Sequence, residues 1–307
     1  MRVSAQANQL NPDRRRVCLA IGFFDGVHLG HQQILRHTLT DARQHGAEAV
    51  AITFDRHPNT VLAPARVPPQ IYSLRRKLKA IEEVGMDAAL LIHFDKHFSE
   101  KSGEEFVREL ARDLGSIWSI CVGADFVFGH HRGGNVELLR KLGAELGFSV
   151  HALAAVSLDR QVIRSTRIRQ AIIAGDLEAA GQMLGRTYSL SGTVRRGDGL
   201  GRKLGFPTAN IDTTGLAVPP KGVYAAQARA GGRIRPAVVN IGSRPTLAQL
   251  HPELRVEAHL LEFAGDLYAA ELEILFLEKL RDEKKFDSLD ALGEQIGRDV
   301  AEAKKRF

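Results

Sequence analysis

The stretch V-C-L-A-I-G-F-F-D-G-V-H-L-G-H, residues 17–31, decides the fold. Its first five residues are an unbroken apolar run, the run breaks at Gly22, and a helical pattern takes over at His31. A strand that ends in a glycine-bearing turn and enters a helix is the opening unit of an α/β sheet. Free N–H groups and the helix dipole at that turn favour phosphate. Working outward, apolar runs recur at residues 49–54, 88–93, 117–122 and 148–156. Helical patterns lie at 31–45, 73–84, 103–114 and 136–146, and two more at 166–174 and 177–184 close this half. Strands with no polar alternation, separated by helices, predict a doubly wound parallel sheet over residues 17–185.

The texture changes after Gly185. Gly and Pro become frequent, and the periodic pieces shorten to 188–194, 223–230, 234–240, 255–261 and 272–276. That spacing predicts a small antiparallel β-barrel over residues 186–307, ended by an amphipathic helix at 288–305. Two domains suit a chain of 307 residues, and 44% hydrophobic with 25% charged residues excludes a disordered chain.

The net charge of +6 and the pI near 9.4 first suggest a nucleic-acid partner. The excess is local, however. Arg2, Arg14, Arg15 and Arg16 stand against Asp13 at the start, and Arg160, Arg164, Arg167 and Arg169 stand against Asp159 further on. Everything else is neutral, so no broad basic face is expected, and no nucleic acid as partner. Residues 1–16 are expected to be a flexible tail. Cys18 and Cys121 lie in apolar runs without metal-type spacing, which predicts two buried free thiols and a cytoplasmic protein; no stretch is long and apolar enough to span a membrane. The oligomeric state is not legible.

His28 and His31, three residues apart, are expected to face the same way at the helix start and to donate hydrogen bonds to phosphate as charge builds up in an in-line displacement. Gly30 between them leaves room for a nucleotide. Metal ligation is the rival reading, but no H-E-x-x-H is present. A second cluster, S-T-R-I-R at 165–169, offers Ser165 or Thr166 as a helix cap and arginines for polyphosphate. No P-loop and no dinucleotide glycine fingerprint occurs.

With H-L-G-H after a strand and S-T-R-I-R later, the chain resembles the H-x-G-H nucleotidyltransferases, and from Val17 onward it resembles the bacterial bifunctional riboflavin kinase/FAD synthetases. The motifs in register are F-D-R-H-P at 54–58, V-G-A-D-F-V-F-G at 122–129 with G-G-N at 133–135, and G-D-L-E-A-A at 175–180. The second half adds G-R-K-L-G-F-P-T-A-N at 201–210, P-K-G-V-Y at 220–224, N-I-G-S-R-P-T at 240–246, V-E-A-H-L-L-E-F at 256–263, G-D-L-Y at 265–268 and L-R-D-E-K-K-F at 280–286.

The resemblance implies an FMN adenylyltransferase in the first half and a riboflavin kinase in the second, with ATP as co-substrate, Mg²⁺ as cofactor, and FMN and FAD as products. It implies nucleotide contacts at Gly22, Phe24, Asp25, Gly30, Asn135, Ser165, Thr166 and Arg169, with His28 and His31 catalytic. Phe54, Asp125 and Phe128 are the flavin candidates there. In the kinase it implies Thr208 and Asn210 on Mg²⁺, Glu257 as general base, phosphate contacts at Gly201, Lys203, Gly205 and Thr208, and flavin contacts at Asp266, Leu267 and Arg281. Neutral oxygens suit a hard cation that keeps its waters, and glycine-rich backbone suits phosphate.

Four positions depart from the family pattern: Phe23 for Asn, Arg164 for a common Ser, Thr187 for a common Pro, and Ala269 for a Gly. Ala269 is expected to tighten the flavin side of the kinase if its backbone needs a positive φ. Two rivals remain. One is a nucleotidyltransferase for another phosphate-bearing acceptor, which the barrel motifs disfavour. The other is a nucleic-acid-binding or regulatory protein on a retired enzyme scaffold, which the intact His28, His31, Thr208, Asn210 and Glu257 disfavour.

Overall fold

A computed structural model describes residues 1–11, 13–244 and 253–307. The chain forms two compact units, one of residues 1–68 and 74–165, the other of residues 69–73 and 166–307.

In the first unit six parallel strands form one sheet: β1 (Arg2–Ser4), β2 (Val17–Ile21), β3 (Glu48–Phe54), β4 (Ala88–Ile92), β5 (Ile117–Gly123) and β6 (Ser149–Leu153), in the order β1-β4-β3-β2-β5-β6. The helices are α1 (Leu29–Gln44), α2 (Leu74–Val84), α3 (Gly103–Leu114) and α4 (Val136–Leu146). Every residue of β2 is buried, as a strand covered on both faces requires. The chain runs outward from β2 through β3 to β4, then returns to β5 on β2's other side. The order therefore reverses between β2 and β5, and a crevice outside the strands' carboxyl ends is where such sheets take ligands. The turn of residues 22–28 stands there.

The first 16 residues are not the flexible tail expected from composition. Arg2–Ser4 pairs with β4, Leu10 is buried in the sheet's core, and Asn11 Nδ2 donates to the Leu114 and Arg15 carbonyls at 2.7 Å each. Composition registered the arginines, whereas the anchoring is done by Leu10 and Asn11. The arginines stay at the surface, Arg2 on Glu48 and Arg16 over the Trp118 ring.

In the second unit α5 (Ser165–Ala174, from Thr166 onward) and α6 (Leu177–Leu184) precede a closed barrel. Its strands are β7 (Ser189–Arg195), β8 (Ala209–Ile211), β9 (Gly222–Ala230), β10 (Arg233–Arg244), β11 (Glu253–Leu260) and β12 (Glu271–Arg281), in the order β7-β8-β11-β10-β9-β12, with β12 closing on β7. All pairs are antiparallel. Tyr188 and Tyr224 pack on Phe276 in its core, and α7 (Leu289–Lys304), capped by Ser288, ends the chain. Helices α5 and α6 belong to this unit rather than to the sheet, so the compact units part twenty residues before the expected 185/186 boundary. The Gly175 backbone after α5 lies against Pro220, and residues 69–73 reach the same unit through Gln70, bonded to Gly215 and Ala217. Pro245 and Thr246 of the N-I-G-S-R-P-T motif lie outside the described residues.

Candidate active sites

At the carboxyl end of β2 the backbone is forced into a rare shape. Phe24 has φ 54°, Gly26 φ 76° and Val27 φ 42°. A left-handed β-branched residue persists only where its surroundings over-determine it. Four side chains do so by bonding to backbone carbonyls. Thr53 Oγ1 and Lys77 Nζ donate to Phe23 O at 2.9 and 3.3 Å, Gln32 Nε2 donates to Val27 O at 2.9 Å, and Ser165 Oγ donates to Asp25 O at 3.2 Å.

This turn delivers His28 as the cap of α1. Its Nδ1 accepts from the His31 N–H at 3.4 Å, which leaves Nε2 as the protonated nitrogen of the neutral ring. The two imidazoles stack with centroids 3.6 Å apart, and the buried Phe24 ring meets His31 edge-on at 5.3 Å. Phe24 thus props the histidine pair from within the core. A Cβ on Gly30 would meet His28 Cε1 at 3.2 Å, so the glycine spares the His28 ring, a nearer reason than room for a nucleotide.

The remaining expected residues of this half have local partners. Asp25 is buried in the turn. Asn135 Oδ1 caps α4 through the Leu138 N–H at 2.9 Å. Asp125 is exposed beside Arg164 at 3.4 Å, Phe128 stacks on Phe126, and Phe54 packs edge-on against Phe94 and Phe98. Thr166 and Arg169 follow Ser165 on α5, with Arg169 Nη1 donating to Thr166 Oγ1 at 3.4 Å.

The barrel site is assembled by register. Asn210 on β8 pairs with Glu257 on β11, and Glu257 pairs with Asn240 on β10, so three polar side chains stand in a row on one face of the sheet. Thr208 Oγ1 donates to Glu257 Oε2 at 3.5 Å. All four line a cavity of about 630 Å³, together with Gly201 and Lys203. Gly205 has φ 84° in the loop that leads to Thr208. Two glycines permit close approach: a Cβ on Gly201 would lie 2.4 Å from Phe206 O, and one on Gly197 2.2 Å from Asn210 Nδ2. The hydroxyl of Thr208 and the carboxamide of Asn210, cradled by Gly197 and next to a carboxylate, form a hard-oxygen donor set that fits Mg²⁺.

Of the kinase flavin candidates, Arg281 lines the cavity, held by Asp299 through two bonds of 2.8 and 2.6 Å. Asp266 and Leu267 do not; Asp266 Oδ1 instead takes the Tyr268 N–H at 2.8 Å in a turn of its own. Ala269 has φ 61°, the strained geometry its replacement of a glycine foreshadows.

Sequence reasoning missed Thr53, Gln32, Lys77 and Asn240. Asn240 opens a quoted motif and could have been found from it. Lys77 is a cation at an inward position of α2, in the same stripe as Ala80 and Ile81, and a charge placed on an apolar stripe was the available signal.

Comparison with known proteins separates the two halves in the same way. A family model for FAD synthetase matches residues 10–167, and one for riboflavin kinase matches residues 184–307. The bifunctional riboflavin kinase/FMN adenylyltransferase of Escherichia coli strain K12 is 37% identical over 290 residues, 94% of this chain and 92% of that protein. The chain belongs to the bifunctional riboflavin kinase/FMN adenylyltransferase family. The family member of Pseudomonas fluorescens is 38% identical over 297 residues, 97% of this chain and 95% of that protein. A crystal structure described as a macrolide-efflux protein from Streptococcus pneumoniae covers 98% of both chains with a TM-score of 0.82 at 26% identity. In this family member, no described helix is long and apolar enough to cross a membrane. Both cysteines are free and buried, and burial pushes the Cys18 thiol up to about 12 and the Cys121 thiol to about 11, so neither is a nucleophile at neutral pH.

Proposed function

We propose that this chain, a riboflavin kinase and FMN adenylyltransferase, divides its two steps between the turn after β2 and the barrel cavity. Residues 17–185 carry adenylyl transfer and residues 186–307 carry the kinase. The observation that supports this most is that each family model falls on a stretch with its own polar constellation: stacked His28 and His31 in one, Thr208, Asn210, Asn240 and Glu257 in the other.

In the kinase step Glu257 takes the proton of the riboflavin 5′-hydroxyl as that oxygen attacks the γ-phosphorus of ATP and ADP leaves. Thr208 and Asn210 would hold Mg²⁺, which when bound neutralises phosphate oxygens. Lys203 and the backbone around Gly201 and Gly205 meet the polyphosphate, and Arg281 meets the flavin. In the second step an FMN phosphate oxygen bonds to the α-phosphorus of another ATP while the α–β bridging bond breaks and pyrophosphate departs. His28 Nε2–H and the His31 ring stabilise the charge that develops, with no side chain becoming covalently attached. Thr166 and Arg169 hold the polyphosphate, and Ser165 holds the turn.

The partners are therefore small anionic molecules, ATP and FMN, with riboflavin, and we place the enzyme in the cytoplasm, where two buried thiols stay reduced. Incubation with riboflavin, ATP and Mg²⁺ followed by chromatography of the flavins tests the reading. FMN and FAD should be the products, and supplied FMN should be converted to FAD; no flavin product, or failure to convert supplied FMN, would contradict it.

A further inference from the structure

The strained turn raises a question that the two histidines do not answer, namely what keeps it in register with the neighbouring strand exit. The Lys77 side chain is 2% exposed, yet it carries an ammonium. Burying such a group is costly unless its protons and charge are matched. Here its Nζ donates to Phe54 O at 2.7 Å, at the end of β3, and to Phe23 O at 3.3 Å, just after β2. It also lies 4.5 Å from the centre of the Phe23 ring, which meets His57 edge-on at 5.1 Å. Phe23 is the residue that replaces the family's usual Asn, so this chain meets the lysine with an aromatic face.

We propose that Lys77 is a positioning residue for adenylyl transfer: its ammonium fastens the exits of β2 and β3 to each other and so holds the turn that aims His28 and His31. This rests on the assignment of adenylyl transfer to that turn. Three features converge on it. Phe23 O accepts from both Thr53 and Lys77, so the residue immediately before left-handed Phe24 is fixed twice. The charges that act on Lys77 are the carboxylates of Asp25, buried inside the turn, and Asp55, one residue beyond β3, so the ammonium is shared between the same two exits. On its own helix the neighbouring Arg76 pairs with Glu83 at 3.2 Å. Removing the ammonium takes one positive charge from between Asp25 and Asp55 and leaves two carbonyls with one donor fewer, at the base of a backbone already under strain.

The charge itself is testable through pH. Burial pulls the Lys77 ammonium down to about 8, against the opposing pull of Asp25 and Asp55. Below that pH the group has three N–H donors and its charge; above it, at most two and none. Adenylyl transfer should therefore decline as pH rises through about 8, and riboflavin phosphorylation, measured in the same full-length protein, should not share that limb.

The deciding experiment compares wild type with Lys77→Met, which keeps the unbranched apolar stem and loses the ammonium, in separate assays of FMN adenylylation and riboflavin phosphorylation. The expected result is a kcat for adenylylation about 10²-fold lower, the size of a small misplacement of reacting groups, with KM for FMN unchanged, the alkaline limb gone and kinase kinetics intact. An adenylylation kcat equal to wild type, or equal loss of both activities, would overturn the positioning role, as would a wild-type profile without the limb. Failure of wild type to adenylylate FMN at all would instead overturn the functional assignment beneath it.

Discussion

In the first unit the stacked histidines lie three residues apart and are placed by one turn, whereas in the barrel Asn210, Asn240 and Glu257 come from three strands and are placed by their pairing. The turn is held in an unfavourable shape by Thr53, Gln32, Lys77 and Ser165, residues scattered along the sequence. The barrel row needs no such brace, because antiparallel pairing already places opposite residues on one face. The difference teaches where each site is fragile. The adenylyl-transfer site should fail through remote hydrogen-bond donors, and the kinase site through anything that displaces a side chain inside its close-packed glycine loop.

The largest expected effect falls on the second part of that contrast. In Gly197→Ala the new Cβ would sit 2.2 Å from Asn210 Nδ2, so the carboxamide must move out of its row. Riboflavin phosphorylation should drop about 10²-fold while supplied FMN is still converted to FAD. Equal kinase rates in the two proteins would show that the row does not need Asn210 in place.

A smaller effect is expected from Thr53→Val, which keeps the shape of a fully buried side chain but removes a donor to Phe23 O. The first unit should lose about 1 kcal/mol in denaturant unfolding, and adenylyl transfer should weaken with it, since Lys77 still bonds that carbonyl. A change confined to kinase activity would break the comparison. The smallest effect belongs to Ala269→Gly. At φ 61° the methyl group is the source of strain, and its removal should stabilise the barrel by about 1 kcal/mol, read as a higher melting temperature with both activities retained.

Much of this architecture was legible from the chain. Continuous apolar runs announced the parallel strands, and the change to short pieces rich in Gly and Pro announced the barrel. Two strands of the sheet and the barrel escaped, as did the short ribbons 127–128 with 134–135 and 157–158 with 161–162. Arg2–Ser4 is too short and too polar to carry a period, and Ala209–Ile211 hides inside G-F-P-T-A-N, where three residues cannot show alternation. The histidine pair was readable because its two members are adjacent on one helix start. Lys77 and Thr53 were not readable as partners, because a side chain that bonds a carbonyl of another strand leaves no local pattern; only the fold brings them to Phe23. Asp266 and Leu267 stand outside the cavity lining for the converse reason: membership of a motif does not say which of its residues turns toward the cavity and which, like Asp266, closes its own loop.

The central claim is that one set of residues serves each step. The most direct measurement supplies each single-site variant with the substrate of each step and separates the flavins. His28→Ala combined with His31→Ala should convert riboflavin to FMN and stop, Glu257→Gln should fail to make FMN yet convert supplied FMN to FAD, and a mixture of the two proteins should carry riboflavin through to FAD. Equal loss of both steps in folded Glu257→Gln protein would contradict the account.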